Sequence, residues 1–271
     1  MSSNAPGQPP PLAPYPPSQP ARVLRSPQGI ANAAMALLSV GAAVALLSAW
    51  GKFSKWQNMN EALATPPGTD PGSVLAAGDI INSLIGLLQS LIILATTVVF
   101  LVWFHRVRCN AEVFRPDGFS QSAGWAIGGW FVPIANIFLV YRTARETWNA
   151  STQNAPDGSY RSVSGAPVVM WWLACLAAWL IDGIARYKYG MAVGAAAIRD
   201  AASLGVVADL LILVASVLAV LFVHKLTALQ GAKAVQVPNA AVWPPRSEHP
   251  HGPTAPSSAR PSPRPGRGRH Q

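Results

Sequence analysis

Three carboxylates stand where the neighbouring residues are apolar. Asp209 lies inside VVADLLILVAS, Asp182 follows WWLACLAAWLI, and Asp79 precedes IINSLIGLLQS. An ionised carboxylate near the centre of a bilayer costs about 2.5–3.5 kcal/mol on insertion scales, so such a group faces protein or water. Two chemistries follow. The acids can form a site for a cation, a proton or a basic ligand, with Asp209 as its best member. They can instead be ion-paired helix ends with one buried, hydrogen-bonded Asp. Arg186, Lys188 and Arg199 are the basic residues expected beside them. Asn82 and Gln89 are seven residues apart, with Ser83 and Ser90 next to them. They share one helical face, which can bond a neighbouring helix or line a pore.

Other reactive types are scattered. His105, His224, His249, His251 and His270 form no HExxH pattern and no cluster with Cys109 or Cys175. No GxSxG, phosphate-binding loop or dinucleotide fingerprint is present. The sequence therefore points to no catalytic residue, no metal and no cofactor. The two cysteines read as a free thiol and a small buried hydrophobe.

The elements that must position these residues are long and apolar. Of 271 residues, 51% are hydrophobic and 11% charged, against about 25% charged in a typical soluble domain. Mean hydropathy is +0.27. This excludes an ordinary soluble enzyme and a wholly disordered chain. The expected fold is all-α, an integral membrane bundle. Residues 30–50, 80–104, 166–185 and 201–223 each suit a spanning helix, which needs about 20 mostly apolar residues. A further segment, 124–141, is apolar but carries Gly124, Gly128, Gly129 and Pro133. It either crosses as a kinked fifth helix or dips in and returns.

Charge decides between them. If 124–141 does not cross, 15 basic residues share the side of the termini and five lie opposite. If it crosses, the split falls to 12 against eight. The positive-inside rule favours four spans, both termini cytoplasmic, in the cell membrane. Two amphipathic stretches flank the core. Residues 53–64 are expected to lie as a helix on the outer surface, and 140–150 as an interfacial helix on the cytoplasmic face.

Domain organisation follows from composition. Residues 1–28 and 231–271 are proline-rich tails, expected to be disordered. Residues 29–230 form the membrane domain. The net charge of +9 is partly tail charge, since residues 1–28 carry +2 and 234–271 carry +4. A basic tail beside an anionic membrane accounts for that, so nucleic acid is not an expected partner. The expected partners are the lipid bilayer and a protein bound through the proline-rich tails or the cytoplasmic interfacial helix.

GWAIGGWFVPIANIFLVYRTARETWNAS, residues 124–151, resembles the signature of the domain of unknown function 4328 family. The matching positions are Gly124, Trp125, Trp130, Phe131, Pro133, Asn136, Arg142, Glu146 and Trp148. The chain departs from the pattern at Val140, where the family often has proline. The resemblance covers about residues 75–228. It implies a small multi-pass membrane protein of bacteria and places candidate functional residues in this motif. It implies no particular activity.

Three function classes fit these observations. A non-enzymatic membrane scaffold or partner-binding component ranks first. A small transporter or channel subunit built on Asp209 and the broken segment ranks second. A lipid-modifying enzyme ranks last, for want of a nucleophile or metal site.

Overall fold

The computed structural model describes residues 23–65, 72–159, 161 and 163–236, with the backbone course alone over 72–79. Most of the two proline-rich tails, and the side chain of Asp79, therefore lie outside the described residues. Four long helices form the bundle: α1 (Gln28–Ala64), α2 (Gly72–Phe114), α5 (Ala166–Gly190) and α6 (Ala195–Val235). Between α2 and α5 come a 3-10 turn (Pro116–Gly118) and two shorter helices, α3 (Trp125–Gly128) and α4 (Asn136–Ala150). All four long helices are long and apolar enough to cross a membrane. No strand occurs among the described residues.

Their boundaries follow proline chemistry. Thr65, which precedes Pro66, is extended, with φ −86° and ψ 138°. A residue before proline is pushed out of the helical region, and α1 ends there. Pro167 sits in the first turn of α5, where its missing N–H costs nothing. No proline interrupts any long helix, so every backbone group stays paired where water is absent.

Segment 124–141 makes no spanning helix. The single turn of α3 is followed by turns through Pro133, and α4 starts at Asn136. Pro133 cannot donate to a helix, and Ile134 after it has φ 63°, a left-handed conformation strained for a β-branched residue. The link 115–165, residues 23–27 and the C-terminal end of α6 share one end of the bundle, here the terminal end. The α1–α2 and α5–α6 links mark the distal end.

Residues 53–64 do not form a separate surface helix. They continue α1 without a break. No glycine or proline follows Gly51 until Pro66, and an unbroken helix keeps its hydrogen-bond ladder intact. The amphipathic stretch around 140–150 does form a helix, α4.

α6 is the central post. It packs along α1 and α5, while α2 packs mainly on α1. Small residues allow the close approach of α1 and α6: Ala31, Ala34, Ala45 and Ala49 on one, Ala201, Ala208, Ala215 and Ala219 on the other, all buried. At the terminal end the core turns aromatic. Trp171 stacks on Phe222 at 4.5 Å, Trp103 meets Phe222 edge-on at 5.7 Å, and Trp148 also lies on Phe222.

Buried hydrogen bonds lock this end. Gln230 of α6 donates to Val107 O at 2.7 Å and Ser151 Oγ at 3.1 Å, and accepts from Asn110 at 3.2 Å. Asn110 also donates to Arg25 O and accepts from Arg25 N. Residues 23–27, assigned from composition to the N-terminal tail, are thus packed on the bundle, with Leu24 buried. Lys233, beyond the expected domain end at 230, is buried and donates to Asn154. In the α4–α5 link, Ser159 donates twice to Asp157, holding that carboxyl below its usual range.

This topology predicts sidedness. Cysteines introduced by Ser159→Cys and Ala64→Cys should label with an impermeant thiol reagent from opposite faces of the membrane. Ser159→Cys should share its face with a tag appended to the C-terminus.

Candidate functional site

Asp209 sits 14 residues into α6, about 21 Å from its start at 1.5 Å per residue. It is 1% exposed. Its partner is Lys52 of α1, whose Nζ lies 2.7 Å from Oδ2. The residues expected as its partners are engaged elsewhere or fall on other helices' ends. Arg186 pairs with Asp182 at 2.7 Å on α5, and Arg199 pairs with its neighbour Asp200. A helix presents i and i+4 to one another, so Arg186 closes on Asp182, while the deeper Asp209 is met by a side chain from the facing helix.

Gln89 of α2 completes the junction, donating Nε2 to Asp209 Oδ1 at 3.3 Å. Three helices therefore meet on one carboxylate. Two glycines make room. A Cβ at Gly205, one turn before Asp209, would lie 2.9 Å from Lys52 Cδ, and one at Gly51 would collide with Asn82 Oδ1. The lysine stem runs across the bare α6 backbone at Gly205 and reaches the acid from above. Its side chain stays 34% exposed.

That exposed surface opens into a cavity. A chamber of about 640 Å³ at the distal end is lined by Lys52, Lys55, Asn82, Gln89, Arg186 and Tyr189, among others. An adjoining chamber of about 430 Å³ runs deeper, past Thr96 to Phe100, Trp130, Trp171 and Trp179. Gln89, Ser90, Asp182 and Arg186 line both. Together they form a lateral cleft between α2 and α5, two helices that hardly touch. Volumes of this size match those of small-molecule sites. Phe100, Trp130 and Trp171 close its terminal end, Phe100 lying 5.8 Å from Trp130 and 5.7 Å from Trp171. Thr96 Oγ1 and Trp130 Nε1 are buried in the wall without a hydrogen-bond partner among the described residues.

The signature residues divide between cleft and scaffold. Trp130 joins the cleft wall and packs edge-on against Trp172 and Trp179. Trp125 opens α3, Pro133 makes the turn and Asn136 opens α4, all away from the ion pair. Arg142 donates to Glu146 at 3.2 Å, and Glu146 accepts from Ser120 Oγ at 2.7 Å, tying α4 to the α2–α3 link. Trp148 is buried on Phe222. Of the candidate residues, Asp182 and Trp130 line the cleft, and Asp209 lies buried behind its wall, bound to the lining residues Lys52 and Gln89. Pro133, Asn136, Trp125, Arg142, Glu146 and Trp148 shape the terminal end. Among the described residues, no group of three or more His, Cys, Asp or Glu side chains gathers as a metal site.

Sequence reading missed Lys52, the residue that matters most to Asp209. A signal existed. Lys52 is the first charge after the apolar run 30–50, at a depth that faces Asp209 in an antiparallel helix pair. Lys55 was missed too. It donates to Tyr189 Oη at 2.6 Å and lies over its ring, 5.1 Å from the centroid.

Removing one partner of a buried ion pair strands the other and costs about 3–5 kcal/mol, whereas replacing both with apolar groups is often neutral. Lys52→Met should cost about 3 kcal/mol, the low end because Lys52 is part-exposed. Lys52→Met/Asp209→Leu should recover most of that loss. Thermal unfolding of the detergent-solubilised chain measures both.

The model of one protein family, described as Domain of unknown function (DUF4328), matches residues 69–228. No curated protein and no solved structure matches the chain. The matched segment runs from the start of α2 to near the end of α6, so it contains Asp209, Gln89, the whole signature and both walls of the cleft. By that match, over more than half its length, the chain belongs to the DUF4328 family.

Proposed function

We propose that this protein is a non-enzymatic membrane component that works by holding a ligand drawn from the bilayer in the cleft between α2 and α5. The cleft itself carries the reading. It opens sideways between two spanning helices, its polar end is organised around a buried ion pair, and its far end is walled by aromatic rings. Four of the charged groups at the site are tied as pairs, Lys52 with Asp209 and Arg186 with Asp182, which suits binding and positioning. A protein partner fits at the terminal end, where Arg142 on α4 is exposed. The proline-rich tails are the other expected partner sites, and they lie almost wholly outside the described residues.

The orientation follows from charge. Arg106, Arg108, Arg115, Arg142, Arg145 and Arg161 belong to the terminal end, against fewer basic residues at the distal end. This supports a cell-membrane protein with both termini cytoplasmic.

A second reading is a small transporter or channel subunit. The cleft follows α2 from Asn82 to Phe100, about 27 Å of helix and nearly the thickness of the hydrocarbon core. Against a cation path, the ammonium of Lys52 already occupies the place a cation would take at Asp209. Flux in proteoliposomes that disappears in Asp209→Asn would favour this reading over simple binding.

The binding reading is tested by native mass spectrometry of the full chain purified from membranes. A bound amphiphile should accompany the wild-type protein. Ser90→Trp, which fills the cleft where the two chambers adjoin, should release it. Val217→Ala, on the exposed surface of α6, should not.

A further inference from the structure

Resting on the cleft as the working site, we infer that its deeper chamber takes an isoprenoid quinone, an uncharged lipid whose ring carbonyls accept hydrogen bonds. The wall decides the charge of the occupant. Asp182 and Arg186 line this chamber at its distal rim, and they neutralise each other as an ion pair. Among the described residues, the rest of the wall carries no ionic side chain. An ionic headgroup seated there would leave water without meeting a counter-charge, a far larger cost than burying a neutral polar group. The polar part of the occupant is therefore neutral.

Two unpaired groups set what that polar part offers. Thr96 and Trp130 both line the chamber, and Thr96 Oγ1 and Trp130 Nε1 are buried with no partner among the described residues. Ser90 and Thr97, on the same helix, donate back to Gly86 O and Ile93 O. Thr96 makes no such bond to its own helix. A ligand oxygen set against these two groups removes the penalty of leaving them unpaired. An indole N–H can only donate, so the oxygen facing Trp130 is an acceptor. A quinone ring presents two carbonyl acceptors and no donor. The inner end also suits a flat conjugated ring. Phe100, Trp130, Trp171 and Trp179 wall it, with Trp130 at 80° to Phe100 and 75° to Trp179. Aromatic rings favour edge-to-face and offset contacts of this kind. On the distal side of the Phe100–Trp171 contact, α2 and α5 stand apart, which gives the isoprenoid tail a lateral path to the bilayer.

The deciding experiment offers the delipidated full chain a naphthoquinone with a short isoprenoid tail, the same tail on a naphthalene ring without carbonyls, diacylglycerol and phosphatidylglycerol. Retention is read by native mass spectrometry and thermal unfolding. The wild type should retain the quinone best and melt higher in its presence. Thr96→Val and Trp130→Phe each remove one donor. Each should lower quinone retention about five- to tenfold and leave the carbonyl-free analogue unchanged. Thr96→Val also removes an unpaired buried hydroxyl, so the empty variant should melt no lower than the empty wild type, an outcome that a purely structural role for Thr96 would not give. Equal retention of the quinone and its carbonyl-free analogue, stronger retention of either glycerolipid, or quinone retention unchanged by both substitutions together overturns the quinone assignment and leaves the cleft reading standing. Retention of every lipid unaffected by Ser90→Trp overturns both. A dimer that Ser90→Trp converts to monomer makes a second copy of the chain the occupant, and overturns the assignment as well.

Discussion

A carboxylate buried among apolar helices has to find its counter-charge inside the protein, and at Asp209 that requirement sets how three helices meet. The acid is on α6, its cation on α1 and its hydrogen-bond donor on α2. For Lys52 to reach it, the two backbones must come close, which Gly205 permits because a Cβ there would press on the lysine stem. The alanine-rich α1–α6 interface continues the same close approach along the helices. Without an oil–water difference to drive helices together in lipid, such packing and polar contacts decide which helices associate. The pairing order follows: α2 against α1, α1 against α6, α6 against α5, leaving α2 and α5 apart.

The terminal end uses a different device. Gln230 of α6 gathers groups from α2 and from the end of α4, and Asn110 extends the set to the backbone of Arg25. Above this network the rings of Trp103, Trp171 and Phe222 fill the bundle. A fully satisfied buried polar network specifies one arrangement, because any shift leaves a polar group unpaired. α6 carries both devices, the ion pair at one end and Gln230 at the other. The open cleft lies between a firm junction at Lys52–Asp209 and a closed aromatic floor.

The broken segment has its place in this arrangement. Glycines and Pro133 prevent 124–141 from spanning, and the turn it makes puts Trp130 between α2 and α5, where it meets Phe100, Trp172 and Trp179. Phe131, Ile134 and Phe138 point away from the core and are strongly exposed, Ile134 at 78%. Exposed apolar side chains of this kind suit contact with lipid at the interface. The indole of Trp172 donates to Ile137 O at 2.9 Å, fastening the start of α4 to α5. The signature is thus mainly architecture, and it contributes one ring to the cleft.

Much of the fold was legible from residue order. Apolar runs of spanning length determined the four helices, and Pro133 with its glycines determined that the fifth run breaks, because backbone hydrogen bonding in lipid leaves few alternatives. The family signature and the burial of Asp209 against a polar partner were readable for the same reason: a charge or a proline in an apolar run has few tolerable settings. The continuity of α1 through residue 64 was not, since an amphipathic pattern fits a surface helix and a helix end equally well. The partner of Asp209, the packing of residues 23–27 and the cleft itself were decided only in three dimensions. Lys52 and Asp209 are 157 positions apart in the chain, and periodicity along one helix carries no information about which facing helix arrives at the same depth. The cleft is a property of two helices that meet only at the aromatic floor, and a gap leaves no mark on either sequence.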